Sequence, residues 1–149
     1  APRPGSLMIL LDTPILSSLM APDPDPRLFR WFARHPAALL HISTVTEAEL
    51  LAAAARLPEG KRQRSIAQID AMVGEDFAGR VLPLDSAAAR DLAAILARSS
   101  RAGIRLPMAC AQNAAIARAN GARLATLSPT IYAHTGVDCI DPLGDQEPR

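Results

Sequence analysis

Four positions in this chain carry side chains whose types and settings could support chemistry: Asp12, Glu49, Cys110 and Ser128. Asp12 closes the run Met8-Ile-Leu-Leu-Asp-Thr13, which reads as a buried strand of a parallel sheet with a carboxylate at its C-terminal end. Open α/β sheets bind their ligands at that end. A carboxylate beside a buried strand has to be compensated, so Asp12 binds a cation, caps a helix or accepts hydrogen bonds. Glu49 raises the same question, because its neighbour Glu47 is accounted for by Thr44-Val-Thr-Glu47, a capping box that starts a helix running to about Leu57. Cys110 falls in the first turn of a helix, where the dipole favours a thiolate; the alternative is a small buried thiol.

The elements that must position these groups alternate along the chain. A turn or short helix spans Pro14 to Met20, and Ala21-Pro-Asp-Pro-Asp-Pro26 is too rich in proline to be regular. Asp25 then caps a helix whose apolar face is Leu28, Phe29, Trp31 and Phe32. Leu39–Ser43 reads as a second strand, and the helix after it forms a hairpin with another over Lys61 to about Glu75. Arg80–Leu84 is a short strand whose proline favours an edge. Asp85 caps a helix to about Ala102 with Leu92, Ile95 and Leu96 inward, ended by Gly103; Pro107 opens one through Asn120, stopped by Gly121. Arg123–Leu127 and Val137–Ile140 are the last strands. Strands alternating with helices predict an α/β fold with a mainly parallel sheet covered on both faces. In that geometry Asp12 and Ser128 lie at strand ends while Glu49 and Cys110 lie early in helices, so all four can converge on one crevice.

Composition narrows the field. The 149 residues fit one domain with a real core, and 49% apolar against 21% charged residues excludes a disordered or fibrous chain. A net charge of +1 and 3% aromatic residues exclude a global basic field and an evident base-stacking platform. Lys61-Arg-Gln-Arg64 and Arg98, Arg101 and Arg105 are either local phosphate contacts or solvated helix faces. The two cysteines lack metal-ligand spacing, and His35, His41 and His134 read as ordinary fold or surface residues. No apolar run reaches membrane-spanning length. Residues 1–7 read as a tag or linker remnant, 8–143 as the domain and 144–149 as a tail.

Five segments in order resemble the PIN-domain proteins of the VapC/FitB kind, the toxin half of type II toxin–antitoxin pairs. They are Ile9-Leu-Leu-Asp-Thr13, Ile42-Ser-Thr-Val-Thr-Glu-Ala-Glu-Leu50, Phe77-Ala-Gly-Arg-Val-Leu-Pro-Leu84, Pro107-Met-Ala-Cys-Ala-Gln112 with Ala114-Ala-Ile-Ala-Arg118, and Leu124-Ala-Thr126. The resemblance implies a single PIN-like domain and a cytoplasmic endoribonuclease dependent on Mg²⁺ or Mn²⁺. It also implies a cognate antitoxin, RNA as substrate where the chain is active, and a homodimer. Asp12 and Glu49 match the family's first two acids and would be its catalytic and metal-holding pair, with Thr13 auxiliary. The third acidic position falls at Cys110 and the fourth, acidic or amide, at Ser128, and both are lost. Pro14 and Ser18 also depart from the family pattern.

Two carboxylates balance one divalent ion where four would balance two, and a protonated thiol is a poor ligand for a hard ion. Losing one such carboxylate costs about 10²-fold or more in rate, so the resemblance predicts reduced or lost cleavage. An inactive domain that binds an antitoxin or nucleic acid is the alternative.

Overall fold

The computed structural model describes residues 7–144, so the expected remnant and tail lie almost wholly outside the described residues. Ile9–Leu11 (β1) is the central strand, and each of its residues is at most 1% exposed. It pairs in parallel with Leu40–Ser43 (β2) on one side and Arg123–Ala125 (β4) on the other. Val81–Leu82 (β3) lies outside β2 and Cys139–Ile140 (β5) outside β4, giving the order β3-β2-β1-β4-β5, parallel throughout. The chain winds outward from β1 to β3, then crosses back to β4. The order therefore reverses between β1 and β4, and the crevice at their carboxyl ends is where such sheets bind ligands.

Six helices cover the sheet: Thr13–Met20 (α1), Pro26–Arg34 (α2), Thr44–Ala55 (α3), Glu59–Ala71 (α4), Ser86–Arg101 (α5) and Met108–Ala119 (α6). Because successive strand residues face opposite sides, Ile9 and Leu11 enter one core and Leu10 the other. The first core joins Ile15, Leu28, Trp31, Leu50 and Ile69 from α1 to α4. The second joins Ile95 of α5 to the small residues Ala111, Ala114 and Ala115 of α6, which let that helix approach the sheet closely. Gly103 (φ 67°) and Gly121 (φ 64°) end α5 and α6 in left-handed geometry, with Ile104 N–H donating to Ser99 O at 2.9 Å and Ala122 N–H to Ala117 O at 2.8 Å.

The α/β reading holds, and β3, which carries the proline-limited segment, lies at the sheet edge. Asp25 and Asp85 cap α2 and α5 through Arg27 N and Ala88 N, both at 2.9 Å. Three details differ from expectation. Phe29 is 57% exposed: α2 turns Leu28 and Trp31 inward, and one step of about 100° carries Phe29 off that stripe. Helix α4 begins at Glu59 and ends in a π-turn over Met72–Asp76. Helix α3 is capped by Ser43, the last residue of β2, whose hydroxyl accepts from Thr46 N at 3.0 Å; Thr44 is already helical, so the capping box and Glu47's part in it fall away. No helix among the described residues is long and apolar enough to cross a membrane.

Candidate active site

Asp12 is the first residue after β1 and the N-cap of α1, a position set by the passage from strand to helix with no intervening loop. Its backbone N–H donates to Ala125 O of β4 at 2.9 Å, extending the β1–β4 ladder by one residue. The side chain is 5% exposed and held on both oxygens: Oδ1 accepts from Thr13 N at 3.0 Å and Tyr132 Oη at 3.1 Å, and Oδ2 from Thr126 Oγ1 at 2.8 Å. Capping and acceptance of hydrogen bonds, two of the three outcomes open to this carboxylate, both occur.

Glu49 reaches the same crevice from α3 and is exposed. Its Oε1 accepts from Thr13 Oγ1 at 2.7 Å, so Thr13 touches both acids, one through its backbone and the other through its hydroxyl. Behind Thr13 a buried polar chain crosses three elements. Thr13 gives its one hydroxyl proton to Glu49, so Thr46 donates to Thr13 at 2.8 Å; Asn113 Nδ2 of α6 lies 3.4 Å from Thr46 Oγ1, and Ser43 Oγ donates to Asn113 Oδ1 at 2.5 Å. Every hydroxyl proton in this relay points toward the Glu49 carboxylate.

Cys110, the third residue of α6, is half-buried and within hydrogen-bonding reach of Tyr132. Burial pushes its thiol above the ordinary range, against the pull of the Tyr132 hydrogen bond, and the charges of Asp12 and Glu49 add to the rise. Those effects outweigh the helix dipole, so Cys110 is the small, partly buried, protonated thiol at neutral pH rather than a thiolate. Burial, then the nearby Asp12 charge, raises Tyr132 strongly as well, keeping it a phenol.

Ser128 is brought to the crevice only by its backbone: its N–H donates to Thr126 Oγ1 at 3.1 Å, while the side chain is exposed and makes no capping bond. The structure therefore gathers Asp12, Glu49, Thr13 and Cys110, and leaves the Ser128 side chain outside. Sequence reasoning missed Tyr132, Asn113 and the hydroxyls of Ser43, Thr46 and Thr126 as site residues. Thr126 stands in a noted segment, Leu124-Ala-Thr126, but nothing in the spacing marks Tyr132, which a 3₁₀ turn over Pro129–Tyr132 carries back to Asp12.

The donor set does not fit a hard divalent cation. Such an ion needs oxygen ligands around it, yet three protein donors already hold Asp12, and the third position presents a neutral sulfur. Among the described residues no three His, Cys, Asp or Glu side chains are placed to hold a metal ion.

Comparisons with known proteins agree with this architecture. The chain is 37% identical over 136 residues to the plasmid stability protein StbB of Pseudomonas syringae pv. tomato, covering 91% of this chain and 98% of that protein. It is 36% identical over 137 residues to the VapC ribonuclease Y4jK of Sinorhizobium fredii, covering 91% and 97%. The crystal structure of FitAcB from Neisseria gonorrhoeae superimposes with a TM-score of 0.80 at 28% identity, covering 91% and 98%. The PIN domain model matches residues 9–130, from the first residue of β1 to the turn that carries Tyr132. With a 32145 parallel sheet, a carboxylate at its switch point and a family match over most of its length, the chain belongs to the PIN-domain family.

Proposed function

We propose that this chain is the VapC/FitB-like partner of a type II toxin–antitoxin pair, acting in the cytoplasm as a homodimer with a cognate antitoxin, and that its endoribonuclease activity is strongly reduced or lost. Similarity over nearly the whole chain to a protein named a VapC ribonuclease supports the scaffold and the RNA substrate class, and likeness to the toxin in the FitAB complexes supports the antitoxin partner. Loss of cleavage rests on one observation above the others: the Asp12 carboxylate is occupied by Thr13, Thr126 and Tyr132, with a neutral thiol at the third acidic position.

In the family's chemistry a divalent ion, Mg²⁺ or Mn²⁺, would activate water and offset charge on the scissile phosphate. Asp12 and Glu49 are the acids this chain retains at the positions that would hold such an ion. What the chain's own groups do is orient: Thr13 couples the two carboxylates, and the Ser43–Asn113–Thr46 relay fixes the Thr13 hydroxyl toward Glu49. The same occupancy of Asp12 favours a second reading, an inactive PIN domain that serves only to bind the antitoxin or nucleic acid.

Cleavage of a mixed RNA pool by highly purified protein with Mg²⁺ or Mn²⁺ tests the reading, with Asp12→Ala and the double variant Cys110→Asp/Ser128→Asp run alongside. The natural chain should cut at least ~10²-fold more slowly than the double variant, whose activity should vanish when Asp12→Ala is added. Cutting by the natural chain at the rate of the double variant, dependent on Asp12, would overturn the loss of activity. A double variant that never cuts favours the binding module.

A further inference from the structure

The three donors on Asp12 are not equivalent. The Thr13 N–H is there because Asp12 starts α1, and the Thr126 hydroxyl also accepts from Ser128 N, so it serves the exit of β4 as well. The Tyr132 hydroxyl has no second structural duty among these contacts. Its ring is 1% exposed and packed with Leu10, Ala111, Ala114 and Leu124, so the hydroxyl cannot swing away from Oδ1. A carboxylate oxygen has two in-plane lone pairs; Thr13 N takes one on Oδ1 and Tyr132 takes the other, while Oδ2 keeps one free. The phenol spends its single proton on Asp12 Oδ1.

On the reading of Asp12 as the retained PIN-type acid, we propose that Tyr132 is a positioning residue that takes the place of a cation at Asp12 Oδ1. A hydrogen-bonded phenol takes the second lone pair of Oδ1 and supplies the partial positive charge that the buried carboxylate needs. Restoring acids at positions 110 and 128 leaves that occupant in place. Only removal of the hydroxyl frees Oδ1 for a hard ion.

The test is Mn²⁺ binding, followed by the electron paramagnetic resonance signal of free Mn²⁺, on five full-length proteins. These are the natural chain, Tyr132→Phe, the Cys110→Asp/Ser128→Asp double variant, and that double variant with either Tyr132→Phe or Thr126→Val added. Adding Tyr132→Phe should tighten Mn²⁺ binding ~10-fold or more, the scale on which groups behind a ligand act, whereas adding Thr126→Val should not tighten it. A structural role for Tyr132 would change stability without raising metal affinity. Equal affinities with and without Tyr132→Phe, or equal gains from Tyr132→Phe and Thr126→Val, overturn the proposal. So does tight Mn²⁺ binding by the natural chain, whatever the folding of the variants. RNA cleavage by the double variant separates the two readings: if it cuts while Tyr132→Phe leaves affinity unchanged, Tyr132 is not the occupant but the family reading stands. If no variant binds Mn²⁺ or cuts, both fall.

Discussion

Asp12 and Glu49 sit one residue apart through Thr13, yet the protein treats them as opposites. Asp12 is 5% exposed and draws donors from α1, from the residue after β4 and from the 3₁₀ turn beyond it, so three parts of the chain meet on one carboxylate. Glu49 is exposed and held by one direct bond, although that bond ends a relay of buried hydroxyl and amide groups. The contrast teaches that two carboxylates bridged by one threonine can differ in kind. One is a structural hub of the fold, while the other is exposed and held through one oxygen by Thr13.

The largest expected effect breaks the hub. Asp12→Ala removes an N-cap and leaves the buried Tyr132 and Thr126 hydroxyls without their acceptor, which should cost about 3 kcal/mol in urea-denaturation stability. Glu49→Gln, the matching change on the exposed acid, should cost under about 0.5 kcal/mol in the same measurement. Equal losses from the two would erase the distinction.

Thr126→Val sharpens the picture by stripping one donor from Asp12 and the acceptor from Ser128 N while keeping the side chain's shape. A loss of about 1–2 kcal/mol, between those of the two acid substitutions, is expected from thermal or urea unfolding.

The smallest effect is a pH dependence. Burial, then the charges of Asp138 and Asp12, pushes the Cys139 thiol from its ordinary value near 9 up to about 11. A thiol held protonated in the folded state contributes stability that is present below pH 9 and lost as pH rises through 11, because there the native state binds more protons than the unfolded one. Urea midpoints measured between those limits should fall with pH, and Cys139→Ala should flatten that fall. An unchanged slope would show that the Cys139 thiol is not the group that titrates in this range.

Much of this molecule can be read without coordinates. Ile9-Leu-Leu-Asp12 carries its meaning locally, since three consecutive aliphatic residues bury on both faces only in the middle of a parallel sheet. The caps at Asp25 and Asp85 and the stops at Gly103 and Gly121 are likewise decided by side-chain reach and backbone freedom within a few residues. Where two local solutions competed, the outcome shifted: Ser43 and Thr44 can both cap, and Ser43 does so because it ends β2, while Thr44 has already joined the helix.

The sequence by itself determined the α/β class, the elements and the PIN-family pattern, and it drew attention to Asp12 and Glu49, because each depends on residues close together or on an ordered set of short segments. Only the tertiary structure decided what those acids do. Tyr132 and Thr126 lie more than a hundred residues from Asp12, and Asn113 lies far from Ser43 and Thr46, so no local pattern announces their bonds. It is the crossing from β3 back to β4, and the 3₁₀ turn after it, that brings a phenol to the Asp12 carboxylate.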